Sequence, residues 1–167
     1  MHRDLKPENF ILVDKDPDNV QIKTIDFGLS KICNQTQHGR IERMNTKVGT
    51  PYYISPDVLS GSYDKSCDLW SAGCILYIML VGYPPFNGDD DQEIINSVRA
   101  GKLIFDEDWV NISKEAIDLI KKLVTKPERR LNAEETLKHK WFKKFSESND
   151  KEVGTQNLKA FKSYMKT

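Results

Sequence analysis

The stretch Met1-His2-Arg3-Asp4-Leu5-Lys6-Pro7-Glu8-Asn9 sets a carboxylate, an amine and a carboxamide within six residues, Asp4 to Asn9. Pro7 fixes φ at about −65° and interrupts any regular helix, so the segment is a loop that can aim all three groups at one spot. Asp4 can accept a proton from an attacking hydroxyl. Lys6 can neutralise a transferring phosphoryl group, and Asn9 can offer its carbonyl oxygen to a hard cation. Together they form the equipment of phosphoryl transfer.

Downstream, Phe10-Ile11-Leu12-Val13 and Val20-Gln21-Ile22-Lys23-Thr24-Ile25 are rich in apolar and β-branched residues and flank the turn-forming Asp14-Lys15-Asp16-Pro17-Asp18-Asn19. This pattern predicts an antiparallel hairpin. Closing it brings Asn9 and Asp26 to about one strand spacing, roughly 5 Å, where two oxygens can share magnesium. Asp14, Asp16 and Asp18 alternate like the start of a calcium loop. Asn19 and Ile25, however, stand where an EF-hand requires Gly and Glu, and the stretch reads as a solvated turn.

The run His2 to Asn9 followed by Asp26-Phe27-Gly28 resembles the H-R-D…N and D-F-G pair of protein kinases. The resemblance implies that Asp4 orients or deprotonates the substrate hydroxyl and Lys6 stabilises the phosphoryl charge. It implies that Asn9 and Asp26 hold Mg²⁺ bridging the phosphates of ATP, and that His2 and Phe27 are packing residues. Glu8 would attract a basic residue ahead of the phosphoacceptor.

From Leu29 to Ile54 hydrophobic periodicity disappears, as in a long functional loop. By resemblance this is the activation segment, running from Asp26 to Ser55-Pro56-Asp57. Thr46 precedes Thr50 by four residues, where many kinases carry an activating phosphate; such a phosphate would pair with Arg3. The alternative is a plain loop hydroxyl. Gly49-Thr50-Pro51-Tyr52-Tyr53 resembles the segment that seats the substrate, with Thr50 bonded to Asp4 and Lys6, and it points with Lys6 to serine/threonine specificity. The family's A-P-E reads Ser55-Pro56-Asp57 here, and its acid is expected to pair with Arg130 despite being one methylene shorter.

The segment Asp68-Leu69-Trp70-Ser71-Ala72-Gly73 resembles the family's D-x-W-x-x-G helix start, in which Asp68 holds the catalytic-loop backbone; the alternative is a simple helix N-cap. Its almost uniformly apolar continuation to Val81 predicts a helix surrounded by protein. Leu69 to Tyr83 as a helix rises about 22 Å, short of a bilayer's roughly 30 Å hydrocarbon core. Asp89, Asp90 and Asp91 read as the start of a helix running to about Arg99, Ser113 caps another, and Asn132 with Glu135 forms a capping box before a helix ending at His139-Lys140-Trp141-Phe142.

Composition sets broad limits. The 167 residues are 38% hydrophobic and 30% charged, enough for one domain with a core. Twenty-five Lys+Arg balance 25 Asp+Glu, so no net field argues for nucleic acid or an anionic membrane. Cys33, Cys67 and Cys74 lack paired metal spacing, and with no signal peptide read, the expected location is cytoplasmic.

From Lys143 the chain turns polar, and residues 157–166 then place Leu158, Phe161 and Met165 on one helical face among lysines. This resembles the junction helix of calcium-dependent protein kinases, in the calmodulin-kinase group, where a calcium sensor or calmodulin grips such a helix; a C-terminal helix packed on the lobe is the alternative. The EF-hands that would bind Ca²⁺ are expected outside this chain. The expected fold is mainly α with a small β-hairpin: a protein kinase-like C-lobe over residues 1–142, without the N-lobe, followed by a linker and junction-like helix over 143–167. The expected activity is serine/threonine phosphotransfer from ATP to proteins with basic residues near the target, once an N-lobe completes the site. Alone the chain is expected to be nearly inactive, with exposed apolar surface that favours self-association. The second reading is a truncated, non-catalytic interaction module.

Overall fold

The computed structural model describes residues 1–13, 21–32 and 49–147, with side chains to 143. A 3₁₀ turn over Pro7–Asn9 leads into β1 (Phe10–Leu12), which pairs antiparallel with β2 (Ile22–Thr24). The two runs expected to form a hairpin do pair, with Phe10 opposite Thr24 and Leu12 opposite Ile22. The strands are shorter than those runs. The ladder nevertheless extends at both ends, through Val13 N–H to the Gln21 carbonyl and Ile25 N–H to the Asn9 carbonyl, each 2.9 Å.

Past a 3₁₀ turn at Pro51–Tyr53 the chain is helical: α1 (Pro56–Ser60), α2 (Cys67–Val81), α3 (Asp91–Ala100), α4 (Lys114–Leu123), α5 (Ala133–Leu137) and α6 (Lys140–Glu147). The caps explain the boundaries. Asp90 accepts from Glu93 N–H at 2.8 Å, Ser113 from Ala116 N–H at 3.2 Å, and Asn132 and Glu135 satisfy each other's backbone N–H groups at 2.9 Å. The three adjacent acids are therefore a helix start.

Helix α2 forms the centre. Trp70, Cys74, Tyr77 and Ile78 are buried together with Phe86, Val98, Trp109 and Ile120 from the surrounding elements. Trp70 stacks on Phe86 with centroids 5.5 Å apart, and Tyr77 meets Trp109 at 4.5 Å. Each such burial contributes about 1.5–3 kcal/mol. A Cβ on Gly73 would lie 2.6 Å from Val124 Cγ2 and 2.8 Å from Leu123 Cβ, so α4 approaches α2 this closely only because position 73 lacks a side chain. Burial pushes the Cys74 thiol's pKa up, and it behaves as a small apolar residue.

One expected helix is in fact two. Instead of a single helix ending at Phe142, α5 stops at Leu137 and α6 starts at Lys140 and runs to Glu147, into the stretch read as linker. His139 makes the break. Its Nδ1 accepts from Trp141 N–H at 3.3 Å as an N-cap would, while Nε2 meets the Asp118 carboxylate of α4 at 2.9 Å.

Candidate active site

Three of the expected site residues form one cluster. Lys6 Nζ lies 3.0 Å from Asp4 Oδ2, Thr50 donates its hydroxyl to Asp4 Oδ1 at 2.9 Å, and Lys6 Nζ lies 3.3 Å from Thr50 Oγ1. The carboxylate thus holds a cation and a hydroxyl, one on each oxygen. Asp4 and Lys6 are only partly exposed, which raises the value of their charges to a reacting group above that in open water. Asn9 is buried and donates Nδ2 to the Asp4 carbonyl at 2.8 Å. Anchored through nitrogen, its carboxamide presents oxygen, the atom a hard cation requires.

The loop is held by the start of α2. Asp68 accepts His2 N–H at 2.7 Å on one carboxylate oxygen and Arg3 N–H at 2.8 Å on the other. The cap of α2 is Ser66, so the N-cap alternative for Asp68 does not describe this fold. Arg3 adopts φ 73°, a left-handed conformation that costs a non-glycine residue about 1–3 kcal/mol. Its guanidinium compensates by donating to the Leu29 carbonyl and, at 3.2 Å, to the Tyr63 hydroxyl. Tyr63 was not expected at the site; its signal in the sequence is a tyrosine five positions before Asp68.

His2 closes the back of the loop. Nε2 is 3.0 Å from the Ile25 carbonyl, which can only accept, so Nε2 carries the proton and Nδ1 accepts Asp4 N–H at 3.4 Å. The Phe27 ring lies 5.0 Å from the imidazole, yet 61% of Phe27 is exposed: it covers His2 on one side and presents its other face outward.

The hairpin delivers the second oxygen. The Ile25-to-Asn9 backbone bond puts Asp26 one residue beyond the buried carboxamide. Asp26 has φ 60° and its Oδ1 accepts Gly28 N–H at 3.3 Å, leaving an exposed carboxylate beside Asn9. A carboxylate and a carboxamide oxygen on adjacent strand ends fit magnesium, which takes few protein ligands and fills its octahedron with water and phosphate oxygens.

On the substrate side, Gly49 has φ 125°, and a Cβ there would lie 3.3 Å from the Arg3 carbonyl, so the segment entering Thr50 runs against the catalytic loop. Glu8 is exposed nearby; burial first, and then the Glu8 charge, push the Tyr53 phenol pKa well above its ordinary value. Farther off, Asp57 and Arg130 form a two-point pair, Nη2 to Oδ1 at 2.8 Å and Nη1 to Oδ2 at 3.4 Å. Arg130 also donates to the Thr125 carbonyl at 2.9 Å and the Ser66 carbonyl at 3.0 Å, tying the ends of three elements together. The shorter acid still reaches. Thr46, the aspartates of the hairpin turn and the segment 157–166 lie outside the described residues.

Comparison with known proteins agrees with this geometry. The model of the protein kinase domain matches residues 1–142. The chain is 50% identical over 167 residues to calcium-dependent protein kinase 3 of Plasmodium berghei (strain Anka), covering 98% of the chain and 29% of that relative. It is 43% identical over 171 residues to calcium-dependent protein kinase 5 of Plasmodium falciparum (isolate 3D7), covering 99% of the chain and 29% of that relative. The chain therefore spans about three-tenths of the length of the curated relatives it matches. No helix of the described residues is long and apolar enough to cross a membrane.

Proposed function

The chain belongs to the protein kinase family, and from that premise we propose that it carries the catalytic-loop side of a serine/threonine kinase of the calcium-dependent type. The observation that supports this most is the mutual contact of Asp4, Lys6 and Thr50, with Asn9 and Asp26 both at the open end of the hairpin, where Ile25 N–H bonds the Asn9 carbonyl. Asp4 orients the serine or threonine hydroxyl and takes its proton as the oxygen forms its bond to the γ-phosphorus of ATP, while the bond from that phosphorus to the β,γ-bridging oxygen breaks and ADP leaves with the electron pair. Lys6 sits where negative charge spreads over the transferring phosphoryl group, and its contact with Asp4 keeps the ammonium aimed there. Thr50 fixes the Asp4 carboxylate from the substrate side.

Asn9 and Asp26 would hold Mg²⁺. Bound there, the ion neutralises phosphate charge. Glu8 favours a basic residue ahead of the target hydroxyl. Arg3 and Thr46 form a phosphorylation switch, and residues 157–166 engage a calcium sensor.

The test is phosphotransfer from ATP with Mg²⁺ to a basic serine peptide, using this chain combined with the nucleotide-binding half of a relative. Asp4→Asn should lower the rate by about 10²- to 10⁴-fold with unchanged melting. Turnover equal to that of the unsubstituted chain would overturn the assignment of Asp4.

A further inference from the structure

A second concave feature, which takes in Trp70 of α2, has no part in this chemistry. A pocket of about 320 Å³ opens between the start of α1, the end of α3 and the segment after α4, lined by Pro56, Trp70, Arg99, Gly101, Lys126 and Arg129 among others. Three full positive charges stand around it and no carboxylate lines it. Among the described residues, no ion pair or hydrogen bond engages the side chains of Arg99, Lys126 or Arg129, although Lys6, Lys122, Lys138 and Arg130 all have acidic partners. One part of this charge has a local use, because Arg99 lies in the last turn of α3 and offsets its negative end. That end amounts to roughly half an elementary charge, far less than the three cations.

The wall between the cations is apolar. Trp70 lines the pocket, is almost fully buried, and its indole N–H has no acceptor among the described residues. That nitrogen is sealed from the open space of the pocket, as are the Tyr53 hydroxyl and the Trp109 indole N–H elsewhere in the core, so Trp70 serves the pocket as an apolar wall beneath the three cations.

We propose that this pocket binds a phosphate monoester dianion, presented by a phosphorylated serine or threonine side chain. Two guanidiniums and an ammonium, one from the end of α3 and two from the segment after α4, match a doubly charged group with several acceptor oxygens better than they match a single carboxylate. The volume admits the phosphoryl group together with part of its peptide. That the ligand is a phosphoprotein rests on the proposed kinase reading; the preference for phosphate rests on the pocket alone.

The experiment titrates the full 167-residue chain with a labelled phosphoserine peptide, its unphosphorylated twin, a glutamate-substituted twin, and inorganic phosphate as competitor. The phosphopeptide should bind at least about tenfold more tightly than either twin, and weaken as salt rises. Arg99→Ala with Arg129→Ala should remove at least about tenfold, and Lys126→Ala less, all with unchanged melting since the three side chains are exposed. The Trp70 indole N–H resonance should shift on titration. Competition by inorganic phosphate would place recognition in the phosphoryl group itself; binding without such competition would place it in the phosphorylated side chain with its peptide. Equal affinity for the twins, or binding that survives the double substitution, would overturn the proposal. The Asp4→Asn chain should bind as tightly as the unsubstituted one, so failure of the pocket and failure of the kinase reading give different results.

Discussion

Residues 1–13 with 21–32, and the helical part of the lobe, bury their apolar side chains to opposite extents. Leu12, Ile22 and Phe27 are 61%, 60% and 61% exposed, whereas Trp70, Tyr77 and Ile78 are 2%, 1% and 1% exposed. The helical part is stabilised by close packing around α2. The catalytic loop and hairpin have no comparable core, and their shape depends on polar contacts that reach across from the helices: Asp68 to two loop amides, Thr50 to Asp4, and Tyr63 to Arg3. The proposed chemistry is mounted on the thinly packed part and stability is concentrated in the other. A substitution can therefore damage one while sparing the other.

The strongest way to test this separation is Arg130→Ala. It leaves Asp57 buried without its partner and should cost about 3–5 kcal/mol in denaturant unfolding, since both side chains of the pair are almost fully buried. A loss below 1 kcal/mol would mean that the helical part does not depend on this junction. Gly73→Ala comes next. The added methyl meets α4 at 2.6 Å and should destabilise by about 1–3 kcal/mol through overpacking, measured as a lower melting temperature.

Asp68→Asn crosses from one region to the other. Its carboxylate becomes a neutral amide that can accept well through only one oxygen, so one of the two loop amides loses a charge-assisted bond worth about 1.5–3 kcal/mol. Amide exchange at His2 and Arg3 should accelerate well before exchange in α2 does. Equal acceleration in both would remove the distinction between the two regions. On the hairpin, Leu12→Lys with Ile22→Glu should change stability by less than about 0.5 kcal/mol, because both side chains are exposed and the new opposite charges face each other across the ladder. The same pair should reduce any concentration-dependent association seen by sedimentation.

The smallest effect concerns Asp118. Its hydrogen bond with Lys122 first, and that with His139 after it, hold its pKa below the ordinary 3.8. A depressed folded-state value means that the contribution to stability is present above the ordinary carboxylate range and fades as pH falls through it. Because half of the side chain is exposed, Asp118→Asn should flatten the acid limb of the melting-temperature profile only slightly.

The parts legible in the sequence are those built from short-range rules. The hairpin follows from two apolar, β-branched runs about a turn, and the Ser113, Asp90 and Asn132 caps follow from residue type three positions ahead of the N–H each accepts. The gathering of Asp4, Lys6 and Thr50 was legible through resemblance, since no local rule joins residues 46 positions apart. What the sequence concealed has a physical cause in each case. The break at His139 is hidden because apolar spacing continues across it and the cap is an imidazole nitrogen rather than a hydroxyl or carboxylate. The left-handed backbone at Arg3 carries no residue signature, because a side chain that favours other conformations is held there by partners far along the chain. The acceptor-less indole of Trp70 is a property of the assembled wall alone.

Asp68 has a further consequence in time. It follows Arg3 by 65 residues, and a chain made at about 5–20 residues per second delivers it some 3–13 s after the loop it holds. During that interval the catalytic loop is synthesised but has nothing to fix its amides. The site can take shape only after the first turn of α2 has emerged, so its assembly on the ribosome is timed by a helix that takes no part in the reaction.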